Sequence, residues 1–146
     1  MLEYLKFQYK LNKLFREKDK TRKLYAKSIE ELRSKTASRD EFESLYAEER
    51  SMMVLAEHEI ENLTTTYFIR VAQRKFIEIP VWNDENAWIS SSLDPNRRVL
   101  SNAAISELRS KIMTYRKERN EQLVPLISAL TGLAGAVIGL IALFMS

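Results

Sequence analysis

The sequence predicts an all-α chain. A long antiparallel, coiled-coil-like helical hairpin comes first, followed by a third helix leading into one C-terminal transmembrane helix. Three observations carry this reading. The stretch from Leu123 to Phe144 contains no charged residue. The 122 residues before it contain no glycine, because Gly132, Gly135 and Gly139 all lie in the apolar tail. Backbone turns with positive φ normally use Gly or Asn, so few tight turns and long helices are expected. Finally, charge separates in blocks: residues 1–36 carry a net +6, residues 37–93 a net −6 and residues 94–146 a net +3. The expected organisation is a hairpin over 1–78, a Trp-containing loop over 79–94, a third helix or stalk over 95–122 and an anchor over 123–145.

The first helix is expected from about Leu2 to Lys35. Leu11, Leu14, Phe15, Tyr25, Ile29 and Leu32 give it an apolar stripe, interrupted by Lys18, Thr21, Arg22 and Ser28. Its opening residues, MLEYLKFQYK, lack the apolar run of a secretory signal. Ser38 followed by Glu41 is a capping-box pattern. It opens a second helix carrying Phe42, Leu45, Tyr46, Met52, Met53, Ala56, Ile60, Leu63, Tyr67, Phe68 and Val71, expected to reach about Phe76 and to be ended by Pro80. A basic helix joined by a short turn to an acidic one folds back on it, and opposite charges flanking the seam select that partner.

The stretch IEIPVWNDENAWISSS, residues 77–92, is the irregular part of the polar chain and holds Trp82 and Trp88. Two roles are open for them. They plug the end of the hairpin or sit at a lipid interface, or they form a loop that binds a protein partner. Asp94-Pro95 then reads as an N-cap with proline at the first helical position. The third helix is expected to carry Val99, Leu100, Ala103, Ala104, Ile105, Leu108, Ile112 and Tyr115.

The tail LVPLISALTGLAGAVIGLIALF has 22 residues, roughly 33 Å of helix at ~1.5 Å per residue, which matches a hydrocarbon core of about 30 Å. Pro125 either starts this helix or kinks one that continues from Arg119. Arg109, Lys111, Arg116, Lys117 and Arg119 precede the tail, and only Met145 and Ser146 follow it. Positive residues stay inside, which places the polar part in the cytoplasm and the end of the chain at the far face. Within the tail, Ser128, Gly132, Gly135, Gly139 and Ala142 recur in steps of 4, 3, 4 and 3. Such a small-residue stripe lets membrane helices approach closely, so a homo-oligomer is expected.

Function is narrowed mainly by exclusion. With no cysteine there is no disulfide, thiol or Cys-based zinc chemistry. The one histidine, His58, pairs with Glu61 at helical spacing, but Leu55 occupies the position that a Glu-x-x-His di-iron motif needs. A polar part without glycine holds no phosphate-binding glycine loop. No enzyme, cofactor or metal is expected. The leading expectation is a membrane-tethered helical adaptor or regulator that self-associates and presents its cytoplasmic hairpin to an unidentified protein partner. A first alternative is an oligomeric, membrane-perturbing pore lined by Ser128 and Thr131. A second is a tether for nucleic acid, through the basic first helix with its interleaved Tyr4, Phe7, Tyr9, Phe15 and Tyr25. The acidic neighbouring helix argues against the second. In a weaker variant, Lys6, Lys10 and Lys13 touch anionic lipid.

The stretch from Leu108, LRSKIMTYRKERNEQLVPLISALTGLAGAVIGLIAL, resembles small uncharacterised bacterial and phage membrane proteins. These end in a basic "LR..IR.ER" helix that runs into an "LTGLIGALIGL" anchor. The resemblance covers about a quarter of the chain. It implies a bacterial inner-membrane location and brings no activity or site residue with it.

Overall fold

The computed structural model describes residues 2–35 and 38–145, with 126, 136, 137 and 139–145 described in backbone only. The predicted turn residues Thr36 and Ala37 lie outside the described residues. The chain is mostly helical and forms two compact units, Met1–Leu108 and Arg109–Ser146. Its elements are α1 (Leu2–Ser34), α2 (Arg39–Arg74), β1 (Trp88–Ser90), β2 (Arg98–Leu100) and α3 (Asn102–Met145).

In the first unit, α1 and α2 form the expected antiparallel hairpin. Glu3 meets Arg74, Phe7 stacks on Tyr67 with ring centroids 3.8 Å apart, and Lys18 Nζ lies 2.7 Å from Glu57. The partner number falls as the α1 number rises. Along α1 the partly or fully buried positions include 7, 11, 14, 18, 21, 25, 28 and 32, an unbroken alternation of 4 and 3. That heptad spacing keeps one seam against α2. Phe7 belongs to this seam and is buried, whereas Phe15, expected in the stripe, is 46% exposed. The capping box at Ser38 forms as expected: Glu41 N–H donates to Ser38 Oγ and Ser38 N–H donates to the Glu41 carboxylate.

α2 buries two faces. One, through Leu63, Tyr67 and Val71, meets α1. The other, through Thr65, Phe68 and Ala72, is covered by the segment that follows. The core joins Ala72 of α2 to Ala87, Trp88, Leu100, Ala104 and Leu108, with Phe68, Ile69, Ile77, Ile79 and Ile105 packed around them. Leu108 is 1% exposed.

The end of α2 departs from expectation. The helix stops at Arg74, well before Pro80. Phe76 N–H donates to Gln73 O at 3.2 Å and Ile77 N–H donates to Ala72 O at 2.9 Å, which is the paired bonding of a Schellman cap. Its left-handed position is taken by Phe76, at φ 54°. Glycine usually sits there, and an L side chain costs ~1 kcal/mol or more in that conformation. Ile77 returns the chain to the core, while the Phe76 ring stays 96% exposed.

The expected third helix over 95–101 is also corrected. Residues 88–100 form a two-stranded antiparallel hairpin, with Trp88 opposite Leu100, Ile89 opposite Val99 and Ser90 opposite Arg98. The fold is therefore not purely α. Asp94 does accept from a nearby backbone, but in a turn: Oδ1 takes Asn96 N–H and its carbonyl takes Arg97 N–H, each at 3.0 Å. Asp followed by Pro suits the opening of a β-turn as well as the opening of a helix. The cap of α3 is Ser101, whose hydroxyl accepts from Ala104 N–H at 3.2 Å.

The second unit is carried by α3, which continues past Pro125 to Met145 without a break. Pro125 therefore does not start a separate helix. Among the described residues no helix is long and apolar enough to cross a membrane. Leu130, Leu133 and Ile138 are each more than six-tenths exposed within this unit.

Candidate functional site

The segment from Phe76 to Ser101, folded onto the second face of α2, gathers the side chains with recognition chemistry. Trp88 and Trp82 take opposite roles there. Trp88 is 7% exposed, and its indole N–H donates to Pro80 O at 3.2 Å, pinning the loop that precedes it. Trp82 is 59% exposed, with its ring 4.7 Å from that of Trp88 and tilted by 52°. Arg98 on β2 holds Trp82 twice. Its Nη1 donates to Trp82 O at 2.9 Å, and the guanidinium carbon lies 6.0 Å from the ring centroid. A tryptophan fixed in both backbone and ring is presented without needing to be ordered at the moment of contact. Val81 beside it is exposed as well. The two tryptophans thus differ in burial, Trp88 lying in the core and Trp82 held at the surface.

A polar latch ties this segment to α2. Glu61 accepts from Ser91 Oγ and from Ser92 N–H, each at 3.0 Å, and from Ser92 Oγ. His58 Nδ1 lies 2.5 Å from Ser91 Oγ. Ser91 has one hydroxyl proton and gives it to Glu61, so His58 is the donor in that short contact. Thr65 completes the attachment by accepting Leu100 N–H at 3.0 Å. The set His58, Ser91 and Glu61 contains the residue types of a hydrolytic triad, but in the wrong order. A triad places imidazole between hydroxyl and carboxylate, whereas here the hydroxyl lies between the other two. Ser91 is also only 5% exposed. Among the described residues no group of three or more His, Asp or Glu side chains is placed to hold a metal ion.

Burial opposes the Glu61 charge, but the bonds from Ser92 and Ser91 and the nearby His58 outweigh it, and its pKa is lowered below 4.5. A carboxylate lowered in the folded state stabilises the fold above its unfolded value and loses that contribution as pH falls. Tm should therefore fall more steeply below pH 4.5 in the wild type than in Glu61→Gln, with the two curves converging in acid. Glu3 is also lowered, by its bond to Arg74, and titrates alike in both proteins, so the difference isolates Glu61. Parallel curves would show that the latch does not contribute.

The remaining expected site residues lie in the second unit. Arg109, Lys111, Arg116, Lys117 and Arg119 are all exposed on α3, and Lys117 pairs with Glu121 at 3.9 Å. Ser128, Gly132 and Gly135 are exposed on the same helix. Gly139 and Ala142 lie outside the residues described beyond backbone, so the stripe is observed only in its first half. Phe76, Arg98, Ser91 and Ser92 were not singled out from sequence. Only the Trp content of the segment marked it, because the latch joins residues about thirty positions apart.

The chain matches no family model, no curated protein and no solved structure.

Proposed function

We propose that the chain is a membrane-tethered helical adaptor that presents the Trp82 cap, on its cytoplasmic hairpin, to a protein partner. The observation that carries this is Trp82 itself, well exposed yet fixed by Arg98 and Trp88. Tryptophan and arginine are the side chains most enriched where binding energy concentrates. Phe76 strengthens the reading, since a fully exposed aromatic occupies a left-handed position where backbone stability alone would favour glycine.

The tether is the uncharged run from Leu123 to Phe144, which includes ten Leu, Ile, Val or Phe residues from Leu126 onward. At about −0.3 to −0.6 kcal/mol each, these favour insertion by several kcal/mol. Five cations on the preceding turns of α3 fit a cytoplasmic placement of the polar part. Chains associate through Ser128, Gly132, Gly135, Gly139 and Ala142.

Two measurements test the proposal. Resistance to alkaline carbonate extraction from bacterial membranes is expected, and release would remove the tether. A photo-cross-linker placed at Val81 should give a discrete heteromeric adduct in intact membranes. Trp82→Ala should abolish that adduct while costing only about 1 kcal/mol of stability, the size of the lost ring contacts with Trp88 and Arg98. No adduct, or one that survives Trp82→Ala, would sink the partner reading.

A further inference from the structure

The first turns of α1 carry apolar side chains on the side away from α2. Leu2, Leu5 and Tyr9, spaced by three and four, lie opposite the seam formed by Phe7, Leu11 and Leu14. They are 67%, 59% and 73% exposed. Between this stripe and the seam runs a row of lysines, Lys6 and Lys10. Together with Arg70 of α2 they line a groove of ≈ 400 Å³ whose wall includes the stacked Phe7 and Tyr67. Lys6 and Lys10 are exposed, and Arg70 is exposed beside Glu3, whose charge it favours. Glu3, the carboxylate in the groove lining, is taken by Arg74.

We infer that this end of the hairpin docks on an anionic membrane surface. Leu2, Leu5 and Tyr9 enter the headgroup layer, and Lys6, Lys10 and Arg70 bind lipid phosphates at the groove. A helix that pairs an exposed apolar stripe with flanking lysines lies in the plane of an interface, and each cation near an anionic leaflet adds ~1 kcal/mol. Charge complementarity selects the occupant: three exposed cations against a single carboxylate, Glu3, suit anionic lipid, and the apolar stripe beside them suits its interface. The same cations would not by themselves explain three solvated Leu and Tyr side chains in succession. The contact deepens the tethered reading by fixing what the polar hairpin does at the bilayer, but it does not require the anchor.

The chain has no cysteine, so Leu5→Cys can carry a single polarity-sensitive fluorophore. Leu24→Cys on the distal half of α1, 67% exposed against 59% at Leu5, is the control. The full-length protein is reconstituted into phosphatidylcholine vesicles with and without phosphatidylglycerol. The Leu5 label should shift blue and be quenched by a lipid-borne quencher only in the anionic vesicles, reversibly with salt, while the Leu24 label stays wet. Lys6→Gln, Lys10→Gln and Arg70→Gln should each lower the docked-to-undocked ratio about fivefold. Their side chains are exposed, so the fold is retained.

A label equally wet in both vesicles overturns the inference. So does a shift that needs only inorganic phosphate, or one that grows with protein density in neutral vesicles, which would identify a second copy as the occupant. Carbonate extraction of the same samples reports the anchor separately. Release with the Leu5 response intact removes the tether and leaves this contact standing, and retention without the response does the reverse.

Discussion

Leu108→Ala should destabilise the first unit by about 3 kcal/mol, the middle of the range for removing a buried leucine side chain without collapse of the site. Leu108 is 1% exposed and shares one cluster with Ala72, Trp88, Leu100 and Ala104. Three of those neighbours are small, small and aromatic in turn, so little can move in to fill the space. The measurement is the guanidinium midpoint of the full-length protein in detergent, with the slope unchanged between variants. A loss below ~1 kcal/mol would mean that the site relaxes and that this cluster is not what holds the cap to α2. A large loss ties presentation of Trp82 directly to packing at the start of α3.

Gly132→Ile and Gly135→Ile should abolish the cross-linked oligomer in native membranes, weakening association at least about tenfold, or ~1.4 kcal/mol. Within one chain a Cβ built at either glycine meets nothing within 4 Å. A bulky side chain therefore fits the isolated helix, and isoleucine is also the better helix former. Any loss of assembly consequently reports contact between chains, not damage to one. Carbonate resistance and melting should be unchanged in the same preparations. An oligomer that persists in both variants would reduce the stripe to ordinary membrane-helix composition.

The hairpin was legible because its signals are long and redundant. The interrupted apolar stripe on α1, the Ser38–Glu41 capping box and the opposed charge of the two helices all pointed the same way, and the burial along α1 then shows that stripe to be a heptad seam. The cap was not legible, for particular reasons. Strands of three residues are too short to display a period of two. Asp94-Pro95 carries a signature shared by helices and turns. Apolar residues on both faces of α2 blur into one broad stripe, which hid the covering segment. The end of α2 was expected near Phe76, within two residues of Arg74, but was assigned to Pro80 because sequence rules do not place a Phe in the left-handed position that stops the helix. Of the site, Trp82 and Trp88 were marked as a pair, but nothing local separates the one that Pro80 O buries from the one that Arg98 displays. The Glu61 latch depends on partners thirty residues away, beyond any local pattern.

The α1 seam has a further consequence. Its positions 7, 11, 14, 25 and 32 are Phe, Leu, Leu, Tyr and Leu, but 18, 21 and 28 are Lys, Thr and Ser. Around Thr65 and Ala72, moreover, α2 is covered on both faces, by α1 and by the segment that follows it. Local opening free energies follow the apolar area and hydrogen bonds that each opening disrupts. The covered end of this one hairpin is therefore expected to open at a higher free energy than the end at the turn. Backbone amides near Ser44 should exchange faster than those near Thr65, which hydrogen exchange on the intact protein would read directly. The lever can flex at its tip while Trp82 stays still.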